Sequence, residues 1–253
     1  MRGMIRLTIS GILLAGMGMA QTSAPDLNTI VSRMQTAMAG RNHDRAYSVT
    51  REYRLVPEDA SKATRVVAEI NTVSSGSKDY SITEGGGQAE KIVRKVLDHE
   101  TESANQHTGM AMTSDNYNFA YLGTEANDGH TCYVVQLNAK HDGKDMLNGR
   151  LWIDTDSYLV RQFSGSPAKS PSWWIKDLQV TLHYKDVDGL WLQDSTQAVA
   201  QVRIVGRHVL TSRALNVRTD MALASKTAPQ KATQQRRRRL DPSLVGAGVF
   251  QHR

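Results

Sequence analysis

The sequence predicts a mainly β fold of the α+β class, an antiparallel sheet with helices packed on it, and three observations predict it. Apolar and polar residues alternate with a period of two over most of the chain from residue 46 to residue 217. Turn signals such as Asn127-Asp128-Gly129 and Asp186-Val187-Asp188-Gly189 separate consecutive alternating runs, as sequential hairpins require. Only two segments switch to a helical period, one ahead of the first strand and one midway.

The first helix is expected over residues 26–38. Ile30, Met34 and Met38 fall on one face, Asp26 follows Pro25 as N-cap, and Gly40 ends the run. It is too short to stand alone and needs an apolar surface to pack on. Tyr47, Val49, Tyr53 and Leu55 then alternate with Ser48, Thr50, Glu52 and Arg54, and Pro57 ends that strand. Val66, Ala68, Ile70 and Thr72 mark a second strand, Ser74-Ser75-Gly76-Ser77 a turn, and residues 80–83 a short third strand. Gly85-Gly86-Gly87 breaks the pattern. Residues 88–102 read as a polar helix with Ile92, Val93, Val96 and Leu97 on one side. Strands follow over 118–125, 131–139, 150–153, 158–163, 178–185, 190–204 and 209–217, and the whole is expected to hold eight or nine. Alternation of this kind buries one face of the sheet.

The ends differ from this body. Arg2 and Arg6 precede an uncharged apolar run over 7–20, and Gly18-Met19-Ala20 places small residues where a signal peptidase cuts. The run falls short of the roughly 20 residues of a spanning helix. Residues 1–20 are therefore expected to be a signal peptide cleaved near Ala20, the competing reading being an uncleaved anchor. From residue 226 the chain turns to Ala, Gln, Thr, Pro and Arg, a disordered basic tail. That tail carries seven basic residues against one acid. Its Arg236, Arg237, Arg238 and Arg239 either touch anionic lipid headgroups or are simply solvated. The whole chain is +6, of which the two ends hold +8, so the body over 21–225 is −2. A nucleic-acid-binding domain carries its basic face on folded structure, so nucleic acid is not an expected partner.

Several chemistries lack their residues. The single cysteine, Cys132, excludes an internal disulfide and lies in a strand pattern, where a buried inert thiol is the favoured reading. His99-Glu100 lacks the second histidine of a zinc-protease helix, and no cysteine pair offers a zinc or redox site. Asp154-Thr155-Asp156 opens like a calcium loop, but Leu159 stands where that loop needs glycine, so a hairpin turn explains it better. Gly85-Gly86-Gly87 lacks the lysine of a phosphate loop, and Ser164-Gly165-Ser166-Pro167 is no nucleophile elbow. No catalytic residue, metal or cofactor is expected. What stands out instead is apolar bulk in irregular stretches: Met110 and Met112 before Tyr117, Phe119 and Tyr121, and Trp173-Trp174 after Pro171. Such residues either fill the core or line a pocket for an apolar ligand.

Two stretches go further. One runs Tyr121-Leu122-Gly123-Thr124-Glu125 through Asp128-Gly129-His130-Thr131-Cys132-Tyr133-Val134-Val135-Gln136-Leu137. The other runs Gly149-Arg150-Leu151-Trp152-Ile153-Asp154 through Leu159-Val160-Arg161-Gln162-Phe163. With the order of elements they give a chain that, over residues 26–217, resembles the bacterial periplasmic lipoprotein-carrier superfamily (LolA/LolB-like), which also includes a lipid-sensing periplasmic regulator of an envelope-stress sigma factor. The resemblance implies a strongly bent antiparallel sheet, an incomplete β-barrel closed by the N-terminal and mid-chain helices, whose apolar cavity holds acyl chains. The carriers have a Pro- and aromatic-rich stretch with an arginine after the second strand. Here that region is Ser74-Ser75-Gly76-Ser77-Lys78-Asp79-Tyr80, so that arginine maps to no residue of this chain.

The expectation is thus a monomeric periplasmic protein that binds a lipid or an acylated lipoprotein, of the outer-membrane lipoprotein-sorting type. It is expected to act as a transport chaperone and not as an enzyme. Met110, Met112, Phe119, Tyr121, Trp152, Trp173 and Trp174 are the candidate lining. The alternative is a regulatory or protein-interaction module of the same fold, in which the Trp173-Trp174 pair protrudes. A hydrolase would need carboxylates or a Ser-His pair converging in one cleft.

Overall fold

Asp26 starts the first helix by accepting two bonds from Thr29, one from its backbone N–H at 3.1 Å and one from its hydroxyl at 2.7 Å. The computed structural model describes residues 25–42, 45–58, 63–105, 112–142, 146–170, 173, 175–204 and 206–219. The expected signal peptide, the basic tail with its four consecutive arginines, Met110 and Trp174 lie outside the described residues. Helix α1 (Leu27–Ala39) buries Ile30, Val31 and Met34, and Asn42 at φ 56° turns the chain out of it.

Ten strands follow: β1 (Tyr47–Pro57), β2 (Thr64–Thr72), β3 (Lys78–Glu84), β4 (Tyr117–Asn127), β5 (His130–Ala139), β6 (Leu147–Asp154), β7 (Val160–Pro167), β8 (Ile175–Val187), β9 (Leu190–Val202) and β10 (Gly206–Arg218). Helix α2 (Gly87–Asn105) stands between β3 and β4. The expected eight or nine strands are ten, and most run longer than their alternation. Cross-strand bonds recruit residues such as Leu147, Asn148 and Gly149 that period alone leaves in a loop.

All ten strands form one antiparallel sheet in the order β3-β2-β1-β10-β9-β8-β7-β6-β5-β4. The sheet is an open half-barrel: β3 and β4 are its edges, and the chain passes from one edge to the other through α2. The expected type of hairpin joins the strands. Asp128 and Gly129 have φ of 47° and 78°, and Asp188 and Gly189 have 52° and 76°, the paired left-handed residues of the tight turn that matches strand twist. Bulges interrupt the register at Thr50/Arg51 against β10, at Tyr121/Gly123 and at His183/Tyr184, and each bends its strand.

Both helices lie on the same face, which one transverse row of side chains traces. Tyr121 pairs with Val135, Val135 with Leu151, Leu151 with Phe163 and Phe163 with Leu182. Leu182 pairs with Thr196, Thr196 with Ser212, Ser212 with Tyr53 and Tyr53 with Val66. Val135, Leu151 and Phe163 belong to the apolar cluster that receives α1 through Ile30, Val31 and Met34. Tyr53 and Val66 belong to the cluster that receives α2 through Ala89, Val93 and Leu97.

Candidate ligand-binding face

That row is apolar at both ends and polar in the middle. Under α1, β4 and β5 add an aromatic series to it. The Tyr117 and Phe119 rings lie 6.3 Å apart, Tyr121 meets Tyr133 edge-on at 6.3 Å, and Tyr133 lies 5.9 Å from Tyr158. The Arg33 guanidinium of α1 sits over the Tyr158 ring at 5.1 Å. A cleft of about 310 Å³ opens where α1 leaves the sheet, lined by Leu27, Val31, Gln35, Tyr117, Phe119 and Lys140 among others.

The candidate lining residues divide among three places. Met112, Phe119 and Tyr121 come together at this margin. Met112 and Phe119 are half-buried against the α1 cluster, and the Met112 carbonyl accepts a bond from the Gln35 amide at 2.7 Å. Tyr121, on the same face, is 37% exposed. Trp152 does not join them. It pairs with Val134 while its neighbours Leu151 and Ile153 enter the α1 cluster, so it points to the opposite face, where its indole N–H donates to Glu125 at 2.9 Å. This corrects its place among the cavity candidates, and the physical reason is the two-residue period of a strand. Trp173 stands apart in the β7–β8 loop, 80% exposed, its carbonyl accepting from Arg203 at 2.9 Å. Ile204, in the neighbouring β9–β10 turn, is also fully exposed and has φ 78°, an uncommon backbone for a β-branched residue.

The polar middle of the face contains residues that the sequence reading passed over. Arg51 is 7% exposed, and its guanidinium donates to the Ser212 hydroxyl at 3.3 Å and to the Gln193 carbonyl. Among the described residues no carboxylate forms an ion pair with it. Tyr53, two residues on, is 3% exposed, and among the described residues its buried hydroxyl has no hydrogen-bond partner. Burial raises this phenol, the Glu100 charge raises it further, and Arg51 opposes both. Tyr184 is pushed up to about 12 by the same three causes in the same order. A signal for Arg51 was present in the sequence. It occupies the inward phase of the run Tyr47, Val49, Tyr53, Leu55, the one charged residue in that register.

The opposite face carries the acids and the cysteine. Glu52 bonds Arg65 at 2.5 Å and Arg213 at 3.0 Å, and the Arg65 hydrogen bond holds its carboxyl below the usual range. Asp154 accepts from the Ser157 N–H at 2.8 Å, the Ser157 hydroxyl at 2.9 Å and Arg161 at 2.6 Å. Burial pushes its carboxyl up, but these donors outweigh burial and hold it at about 2. Asp154 and Asp156 form a hairpin turn, as the sequence reading preferred. Cys132 is buried, and burial first and the Asp154 charge second push its thiol up to about 11. Among the described residues no three His, Cys, Asp or Glu side chains converge as metal ligands.

The fold is similar to that of a LolA superfamily protein from Nitrosomonas europaea, at a TM-score of 0.46 and 11% identity over 78% of this chain and 94% of that one. A domain from Vibrio parahaemolyticus named for outer membrane lipoprotein sorting matches at a TM-score of 0.48 and 11% identity, over 81% of this chain and 96% of that one. A DUF1329 family protein from Desulfovibrio piger matches at 0.43 and 13% identity, over 81% and 97% of the two chains. No family model matches the chain, and no curated protein does. At these identities the likeness is one of fold.

Proposed function

We propose that this protein is exported and, outside the cytoplasm, binds the acyl chains of a lipid or an acylated protein on the helix-covered face of its half-barrel, as a carrier and not as a catalyst. The observation that carries this reading is the apolar margin where α1 meets β4. Half-buried Met112 and Phe119 and exposed Tyr121 line up there beside an open cleft. A sheet whose edges stay apart leaves room that its own side chains need not fill. Each methylene that an acyl chain removes from water there contributes about 0.8 kcal/mol. The arginines of residues 236–239 would hold the protein near anionic headgroups.

Native mass spectrometry of protein purified from a periplasmic fraction, followed by organic extraction, tests the proposal. A phospholipid or acylated peptide is expected to co-purify with the wild type and to be depleted severalfold in Phe119→Asp and Met112→Asp. A clean protein that also takes up no fluorescent fatty acid sinks the idea. One observation favours a second reading, a protein-interaction module. Trp173 lies in the β7–β8 loop and is 80% exposed. If Trp173→Ala abolishes capture of a protein partner and leaves lipid content unchanged, the second reading gains.

A further inference from the structure

Arg51 and Tyr53 lie next to each other on the helix-covered face of the half-barrel, Tyr53 in the cluster that receives α2, and their polar ends are not fully used. A guanidinium has five N–H donors, and among the described residues acceptors come from Ser212 and Gln193 only. Among the described residues the buried cation has no anion and the hydroxyl beside it no partner, an expensive arrangement in a folded protein. Both side chains lie at adjacent inward positions of one strand, and the Arg51 charge is felt at the Tyr53 and Tyr184 phenols. On α2 the buried residues stop at Leu97, and Glu100 stays exposed although it continues the face of Val93 and Leu97.

We propose that Arg51, with the Tyr53 hydroxyl, is a recognition site for the anionic head group of an amphiphile whose chain lies along the apolar part of the same face. The inference rests on the lipid-binding reading and adds to it the chemical class of the head. A carboxylate or a phosphate would accept from the free guanidinium donors and from the phenol, and so complete both groups at once. Glu100 stands as a negative wall to the site and opposes the same ligand. The protein would thereby prefer acidic amphiphiles to neutral ones of equal chain length.

The test compares dodecyl phosphate, laurate and 1-dodecanol below their micellar concentrations, with inorganic phosphate as a fourth probe, by displacement of a neutral fluorescent dye from the purified full chain. The acids are expected to bind about tenfold or more tighter than dodecanol, the gap expected of a charge-assisted hydrogen bond. Whichever acid binds tighter identifies the head. Arg51→Met is expected to bring the acids down to dodecanol, Tyr53→Phe to narrow the gap, and Glu100→Gln to widen it. Tyr53→Phe removes only an unbonded hydroxyl, so it folds and decides the matter if Arg51→Met does not. Equal binding of the acids and dodecanol by the wild type overturns this inference and leaves the lipid reading standing. Binding of inorganic phosphate alone, with no amphiphile bound, overturns the amphiphile. Failure of every probe overturns the lipid reading and this inference with it.

Discussion

Asp154 shows how much one side chain can hold. Its carboxylate is almost fully buried at the turn between β6 and β7, and it joins Ser157, Arg161 and His130. Arg161 in turn lies 5.4 Å over the Trp191 ring, whose indole N–H donates to the Val160 carbonyl at 3.1 Å. Removing the charge leaves Arg161 buried without its anion, so Asp154→Asn is expected to cost on the order of 2 kcal/mol at pH 7 by urea unfolding. The folded pKa is depressed, so this stability is complete above the unfolded value near 4 and is lost as pH falls toward about 2. The difference between Asp154→Asn and wild type is therefore expected to shrink between pH 4 and pH 2, and a constant difference would refute the assignment. At this scale the sequence was partly legible. The acid pair was read as a turn because turn chemistry is local. Trp152 was misplaced because the facing of a strand residue depends on its neighbours' register, and Arg51 escaped because charge alone does not reveal burial.

At the scale of elements, the glycines of the β6–β7 hairpin position the α1 cluster. Gly149 and Gly165 pair directly, and a β-carbon at Gly149 would stand 2.7 Å from the Gly165 Cα and 2.9 Å from the Phe163 ring. The absent side chains let Phe163 lie flat across the pair and reach the core beneath α1. Gly149→Ala is expected to destabilise by about 2 kcal/mol or more through overpacking, measured by thermal or urea unfolding. Gly86→Ala, where nothing lies within 4 Å, is the matched control and is expected to change little. Equal effects at the two sites would show that close approach is not the cause. Both helices, the turns and the strand centres could be read from period and punctuation, because those signals lie within a few residues of each other. Strand ends could not, since Leu147 enters its strand by pairing with Pro167, well beyond the reach of a local signal. Gly149, Asp154 and Arg161, from the second of the stretches that carry the family resemblance, turn out to shape a hairpin. That is why they speak to architecture more than to ligand.

At the scale of the whole molecule, the sheet is joined in its middle by the first and last strands. β1 pairs with β10 from Ser48 with Arg218 to Pro57 with His208. Taking away β10 does not trim an edge; it separates β1–β3 with α2 from the other six strands. A chain stopped after Val202 is expected to lose the cooperative unfolding transition entirely, and a sharp transition in that variant by circular dichroism would show that the seam is dispensable. No local signal in the sequence announces this seam. Hairpin grammar links each strand to its neighbour in the chain, and the β1–β10 pairing is the one link that grammar omits.

The seam also has a consequence in time. At synthesis rates of roughly 5–20 residues per second, β1 waits on the order of 8–30 s for its partner to leave the ribosome. Throughout that interval the edge of β1 that β10 will cover stays unpaired, an open template for pairing with another chain. The ribosome thus delivers the closing strand last and holds the chain unfinished until synthesis is nearly done.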